Sequence, residues 1–359
     1  MKNMKQLNVV ILGQGRSGRD IHGLHLKKDT ERFKVIGVVE PMEVRRVRAA
    51  EEYGCETFTS HTQLYGRTDI DLVINSTPSH LHYPVTKDLL EHGFNVLCEK
   101  PCVPTVKQFD ELCEIAKKNG RVFLVFQQSR FAHYFEKVKE VIASGVLGRL
   151  VQVGIQFNGY ARRWDWQCCR EFNGGNLANT GPHPLDQALN IMDMYDGMPE
   201  VFCRMDRCNT FGDAEDYCKL ILTAPNKPLI DLEISSADGY PLFTYKIHGT
   251  RGSLKGSMAH IDWKYFIPEE NEDQHLIKDP LTADKVECFP AYCTEKLNWH
   301  EECWEGDPQA PFIAAVQTYY DQIYALLTEG KEHDIKLCQV RQQLAVIEEA
   351  HRQNPHIGK

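Results

Sequence analysis

Leu7-Asn8-Val9-Val10-Ile11-Leu12-Gly13-Gln14-Gly15-Arg16-Ser17-Gly18 is the stretch on which the fold turns. Its first half is apolar apart from Asn8 and rich in branched side chains, the composition of a short buried strand. Its second half completes G-x-G-x-x-G. Glycines placed there allow a tight turn, and they let a pyrophosphate reach backbone N–H groups at the start of the helix predicted over 19–28. Set between a strand and a helix, the motif is a strong sign of a dinucleotide site. The second strand is 33–39 (FKVIGVV), and Glu40 ends it. That acid lies roughly twenty residues past the glycines, where a carboxylate accepts the ribose hydroxyls of NAD. Glu40 therefore predicts NAD over NADP. Arg45 and Arg46 pull the other way, because an arginine there can hold the extra phosphate. They also fit the solvated face of a helix over 43–53.

Alternation continues downstream. Residues 72–76 (LVINS) form a strand that ends at Thr77-Pro78-Ser79-His80-Leu81-His82. A strand ending on Thr-Pro puts a rigid loop at the crevice, where the cofactor's ribose and nicotinamide are expected. His80 and His82 fit either that role or a structural one. A helix over 83–92, a strand over 94–98, a helix over 106–119 and a strand over 122–127 complete a doubly wound parallel sheet. Glu99-Lys100-Pro101 stands at the carboxyl edge of the 94–98 strand. Pro101 restrains the backbone and keeps Lys100 out of helical geometry. A lysine so held can orient a substrate oxygen or, partly desolvated, trade a proton near neutral pH. A surface Glu-Lys pair before a proline turn is the competing explanation. The cofactor-binding set is Gly13, Gly15, Arg16, Ser17, Gly18, Glu40, Thr77, Pro78, His80, His82, Glu99, Lys100 and Gln128.

After Gln128 the pattern changes. A helix over 135–144 precedes strands at 150–158, 200–207, 217–223, 229–235, 245–249 and 252–255, which suits an antiparallel or mixed sheet. Residues 311–327 and 336–351 read as terminal helices, and the polar span 269–286 as a surface loop. The length of 359 residues favours two domains or one large one. The formal charge of −9, with no basic stripe, argues against a nucleic-acid partner. No apolar run approaches the ~20 residues of a membrane span. The polar N-terminus, leading straight into a strand, predicts no secretory signal. Thirteen scattered cysteines without zinc spacing predict free thiols in a reducing cytoplasm.

A second site stretch lies between the first two strands of the second domain: Trp164-Asp165-Trp166, then Gly174-Gly175-Asn176-Leu177-Ala178-Asn179-Thr180-Gly181-Pro182-His183-Pro184-Leu185-Asp186. His183 opens an apolar helix, and Asp186 and Gln187, at i+3 and i+4, can neighbour it. With Gly13-x-Gly15-x-x-Gly18, Thr77-Pro78 with His82, and Glu99-Lys100-Pro101, this stretch resembles the glucose–fructose oxidoreductase, inositol dehydrogenase and rhizopine-catabolism family (Gfo/Idh/MocA) over nearly the whole chain. The resemblance implies an α/β fold: an NAD-binding Rossmann domain with a doubly wound parallel sheet over 1–127, then an α/β domain over 128–359 with a large open mixed sheet. The second domain binds substrate, and its outer sheet face builds a dimer or tetramer. Hydride-transfer roles carry over onto Lys100 and His183. The family's usual aspartate two residues before the glycine is Asn179 here, which keeps hydrogen bonds but no charge and predicts a less basic His183.

The function so implied is an NAD-dependent dehydrogenase of a ring secondary hydroxyl of a sugar or glycoside, C3 of a glucoside foremost. His183 is the expected general base, and Lys100 holds the oxygen and steadies the developing alkoxide. Tyr160, Arg163, Trp164, Trp166, Asn179 and Asp186 are the expected substrate contacts, with interdomain packing as the alternative for the aromatics. No metal is required, since Lys100 fills the electrophile's role. The alternatives are an inositol or cyclitol dehydrogenase, a glycosidase that retains NAD, and a non-enzymatic NAD(H) sensor.

Overall fold

The computed structural model describes residues 5–195, 197–276, 278, 294–307 and 310–359. Its N-terminal part is organised around β1 (Leu7–Leu12). Next come helix α1, with wide π-type turns over Arg16–Gly23 and an α-turn at Leu24–Leu26, then β2 (Phe33–Val39), α2 (Glu43–Tyr53), β3 (Glu56–Phe58) and β4 (Leu72–Asn75). Helix α3 (His82–Glu91), β5 (Val96–Cys98), α4 (Val106–Lys118) and β6 (Phe123–Val125) follow. The strands form one parallel sheet in the order β3-β2-β1-β4-β5-β6. The chain reverses direction across the sheet between β1 and β4, the topological switch point at which such sheets take ligands. Both faces are covered: Val9, Ile11, Val38, Ile74, Val96 and Leu97 are fully buried.

Two departures from expectation stand out here. Helix α1 starts at Arg16 rather than 19, directly on the glycine turn. Strand β3, with sequence ETF, is too short and too polar for periodicity to reveal.

The second part begins with α5 (His133–Ala143) and β7 (Leu150–Asn158), then the short α6 (Asn176–Asn179) and α7 (Pro182–Met192). Strands β8 (Glu200–Asp206), β9 (Tyr217–Thr223), β10 (Leu229–Ser235), β11 (Tyr245–Gly249), β12 (Gly252–Gly256), β13 (His260–Phe266) and β14 (Trp299–Glu305) follow. With β7 they make a mixed eight-stranded sheet, β14-β13-β12-β11-β7-β10-β9-β8, in which β7 and β10 pair parallel and the other pairs are antiparallel. Period-2 patterning sets the faces: Cys218, Leu220 and Leu222 of β9 point inward and are fully buried. They meet Leu185 and Leu189 of α7 in a second core. Strands β13 and β14 extend the sheet beyond the sequence expectation. Residues 277 and 279–286 of the expected surface loop lie outside the described residues.

The last two helices, α8 (Ala310–Glu329) and α9 (Leu337–Gln353), tie the parts together. Tyr319, Tyr320 and Ile323 of α8 pack into the first core, and the Tyr319 hydroxyl donates to the carbonyl of Val125 at 2.6 Å. On α9, Val340 and Leu344 join the first core while Val346, Ile347 and Ala350 join the second. A division at residue 127 separates the two sheets, but the chain beyond it returns to complete the first core. Among the described residues, no helix is long and apolar enough to cross a membrane, and the cysteines are free thiols.

Candidate active site

Lys100 leaves the end of β5 and reaches across to the second part of the chain. Its Nζ donates to the backbone carbonyl of Asn179 at 2.8 Å and lies 3.5 Å from Asn179 Oδ1. The Lys100–Pro101 peptide is cis. Behind the lysine, Glu99 is buried and takes no outward part. Its Oε2 accepts the Lys100 N–H at 3.0 Å, and its Oε1 lies 3.2 Å from His22 Nε2. His22 Nδ1 is in turn 2.7 Å from the hydroxyl of Tyr320 on α8. Burial works to raise the Glu99 carboxyl, but the His22 hydrogen bond and the Lys100 charge outweigh it and hold it at about 2. Glu99 is thus a permanent anion supporting the lysine backbone. It was expected among the cofactor contacts, and its enclosure removes it from them.

Burial lowers the pKa of Lys100, and the charges of Arg16 and Arg163 lower it further, against Glu99. His183, in the first turn of α7, falls to about 3, through burial first and the neighbouring Lys100 charge second. Two cations cannot share this space, so the proton of the pair resides on Lys100. Burial and the Lys100 charge cause this fall, and the uncharged Asn179 offers nothing against it. Its consequence is that Lys100 becomes the better-matched acid–base group and His183 a neutral hydrogen-bonding one.

His183 Nδ1 lies 3.0 Å from Ser129 Oγ, a partner that follows β6 and that no sequence pattern marked. Gln187 Nε2 donates to the Ser129 carbonyl at 3.0 Å, and Gln187 Oε1 accepts from Tyr245 at 2.5 Å. Gln187 therefore orients the histidine at one remove. Asp186 is only 2 % exposed, and both its oxygens are held by the Arg130 guanidinium, one of them at 2.7 Å. As an expected substrate contact it is a correction: its lone pairs are committed to a buried ion pair linking α7 to the segment after β6.

His82 needs the same correction. Its ring nitrogens each lie 2.8 Å from a carbonyl oxygen, of Pro101 and of Thr77, and burial lowers its pKa. It clamps the Thr77-Pro78 loop to the lysine loop from inside, and both its ring nitrogens are committed to the chain itself. His80 faces the second part of the chain, 4.9 Å from the Phe172 ring.

The residues at the switch point fit a dinucleotide. Gly13 has φ +87°, and a Cβ on Gly18 would lie 2.0 Å from the Gly13 carbonyl, so these glycines allow the turn and the close helix. Gly15 faces open space. The first N–H groups of α1, from Arg16, Ser17 and Gly18, have no intrahelical partner and suit a pyrophosphate. Gln14 and Gln128 each bury a side-chain oxygen that has no partner. Glu40 accepts Gln14 N–H at 2.9 Å and Met42 N–H at 3.1 Å, which fixes its carboxylate beside the glycine turn. Arg45 lies 3.6 Å from that carboxylate, while Arg46 donates to the carbonyls of Glu40 and Pro41. Both arginines are thereby drawn to the chain itself. Fluorescence titration is expected to find NADH bound at least about ten-fold more tightly than NADPH, because the phosphate would meet a fixed anion. Equal affinities would show that the arginines prevail.

The expected substrate side chains lie on the segment between β7 and α7. Arg163 is held by Asp165 at 2.7 Å and also by Gln167, and its charge is felt at Lys100. Trp164 is 81 % exposed, Tyr160 is 62 % and Trp166 is 39 %. The alternative of interdomain packing does not hold for Trp164, which is almost bare. Asn179 Nδ2 donates to Gln167 Oε1 at 3.3 Å, so the amide is tied to the arginine-bearing loop.

Comparison with known proteins bears on this geometry. Residues 7–127 match the group described as oxidoreductase family, NAD-binding Rossmann fold, and residues 135–255 match the GFO/IDH/MocA C-terminal domain. The chain is 26 % identical over 287 residues to the 2,7-anhydro-N-acetylneuraminate hydratase of Mediterraneibacter gnavus, covering 76 % of this chain and 75 % of that one. It is 29 % identical over 202 residues to the D-glucoside 3-dehydrogenase of Escherichia coli, covering 54 % and 55 %. Among solved structures, the WlbA dehydrogenase of Bordetella pertussis in complex with NADH and UDP-GlcNAcA superposes with a TM-score of 0.77 at 19 % identity, covering 98 % of this chain and 96 % of that one. That superposition speaks to the fold alone.

Proposed function

This chain belongs to the Gfo/Idh/MocA family of NAD-binding oxidoreductases, and from that premise we propose that it oxidises a ring secondary hydroxyl of a sugar or glycoside, with C3 of a glucoside first among the candidates. The observation that carries the reading is the Lys100 ammonium, held 2.8 Å from the Asn179 carbonyl at the switch-point crevice with the neutral His183 beside it. NAD, held by the glycine turn, Glu40 and Gln128, supplies the acceptor for the hydrogen on the alcohol carbon. Lys100, its pKa lowered by burial, takes the hydroxyl proton when uncharged and steadies the oxygen when charged. His183, braced by Ser129, hydrogen-bonds the same hydroxyl. Arg163 and Asn179 bind neighbouring hydroxyls, and the exposed tryptophans offer their faces to the ring and its substituent. The relative named D-glucoside 3-dehydrogenase supports the choice of carbon.

A second reading is a reaction with no net oxidation, of which the NAD-retaining glycosidase is one form. The relative named as a hydratase favours it, since a hydratase moves water rather than electrons. The test is a panel of glycosides, free sugars and inositols with NAD, following NADH absorbance and ring products together. NADH from glucosides supports the main reading. NADH from inositols alone hands the case to a cyclitol dehydrogenase, and products without NADH to the second reading. Binding of NADH with turnover of nothing would leave a sensor.

The role of Lys100 has a pH signature. Oxidation requires the uncharged amine, so turnover rises with pH through the lysine's depressed pKa. Asn179→Asp places a carboxylate where Oδ1 now lies 3.5 Å from Nζ. It is expected to move that rise to higher pH by about one unit, by favouring the ammonium. An unmoved profile would mean that another group titrates.

A further inference from the structure

Glu215 lies outside the set of residues drawn from the sequence, at the turn into β9, and is 2 % exposed. Its Oε1 accepts the Leu177 N–H at 3.0 Å and its backbone carbonyl accepts the Asn176 N–H at 2.9 Å. Asn176 is further anchored by its Nδ2, which donates to the Asp216 carbonyl and to Ser236 Oγ, both at 2.8 Å. The whole of α6 therefore hangs on the Glu215–Asp216 turn, and the last residue of α6 is Asn179, whose carbonyl receives Lys100. Glu215 Oε2 is buried with no partner. It borders a cavity of about 10 Å³ whose wall includes Arg163, Gln167, Asn176, Asn179 and Ser236, a space that holds about one water. Gly175 belongs to the same device: a Cβ there would lie 2.4 Å from Glu215 Oε1.

We propose that Glu215 is a positioning residue for Lys100, which fixes α6 through Leu177 and through one water held in the cavity beneath Asn179. This rests on the dehydrogenase reading for its effect on turnover, but not for its effect on the lysine itself. Burial pushes the Glu215 carboxyl up to about 7, against the charge of Arg170. The other groups around it are Arg163 and Cys168 on the cavity wall, Asp216 beside it and Cys218 on β9. As the neutral acid, Glu215 donates Oε2–H to the water, which passes its own hydrogens to the side-chain oxygens of Gln167 and Asn179. Once ionised it turns acceptor, draws the Arg163 and Asn179 N–H groups toward itself, and shifts the carbonyl that holds Lys100.

Two variants and two readouts test this. In Glu215→Gln, which keeps the shape and cannot ionise, the break that Glu215 ionisation near 7 places in the parent's kcat–pH profile, superposed on the rise through Lys100, should vanish, with KM little changed. In Glu215→Ala, kcat should drop about ten-fold with KM within about two-fold, as for a displaced catalytic group. Independently of turnover, Lys100 should be methylated by formaldehyde and cyanoborohydride about ten-fold faster in Glu215→Ala, the value of one lost charge-assisted hydrogen bond. A Glu215→Gln profile identical to the parent's, or unchanged Lys100 methylation in Glu215→Ala, would overturn the proposal. If no sugar is turned over, the dehydrogenase reading fails while the methylation rate still decides the role of Glu215.

Discussion

Lys100→Met is expected to lower kcat by about 10²–10⁴ and to leave NADH affinity within about three-fold. Methionine keeps much of the length and apolar stem of lysine, so the packing beside Pro101 survives. What disappears is the one group in the crevice that can both take a proton and offer a charge to an oxygen. His183 cannot replace it, because its pKa of about 3 leaves it too weak a base. Removal of the Lys100 charge would let His183 rise, so the variant's residual activity should titrate at higher pH than 3 and gain little from raising pH above neutrality. The cofactor residues are untouched, since Glu40 and the glycine turn hold their geometry without the lysine. Stopped-flow kinetics with a working substrate and fluorescence titration with NADH would separate the two quantities. A variant that keeps a tenth of the activity would make Lys100 a structural residue.

Arg130→Met should be the most damaging single change to stability in the second half of the site. The Arg130–Asp186 pair is 5 % and 2 % exposed at its side chains, and Arg130 also donates to Gln339 on α9 at 2.9 Å. Removing one partner strands a buried carboxylate, a loss of about 3–5 kcal/mol. Asp186→Asn should be milder, because the amide can still accept one guanidinium hydrogen bond. Denaturant unfolding of the two variants would measure both. If Arg130→Met costs less than about 1 kcal/mol, water reaches the pair and Asp186 regains its claim as a substrate contact.

The fold was legible where pattern is strongest. Strands β9, β10 and β11 have the bounds their sequences predict, because apolar residues at every second position face the core, and β7, buried at three successive central residues, has its predicted bounds as well. Strands β13 (HIDWKYF) and β14 (WHEECWE) are harder to see in the sequence, because charged residues crowd them toward the edge of that sheet: Asp262 and Lys264 line one face of β13, and glutamates occupy both faces of β14. The site was legible only where residues sit next to one another in sequence. Glu99-Lys100-Pro101 and the His183 stretch are local, and they mark the two halves that meet at 2.8 Å. The partners that define their roles are remote. Tyr320 reaches His22 across 298 positions, and Ser129 and Arg130 reach α7 across 54 and 56. Nothing in periodicity announces such pairs. One local signal does point to a remote partner: the glycine at 175 implies a close neighbour, and that neighbour is the carboxyl of Glu215.

The claim that a ring hydroxyl is oxidised at C3 can be tested most directly by trapping the product. The protein is incubated with NAD and a glucoside, the ketone is reduced with borodeuteride, and the deuterium is located by NMR. Deuterium is expected at C3 in the parent and nowhere in Lys100→Met. Deuterium at another ring carbon, or none from any glucoside while NADH forms from inositols, would contradict it.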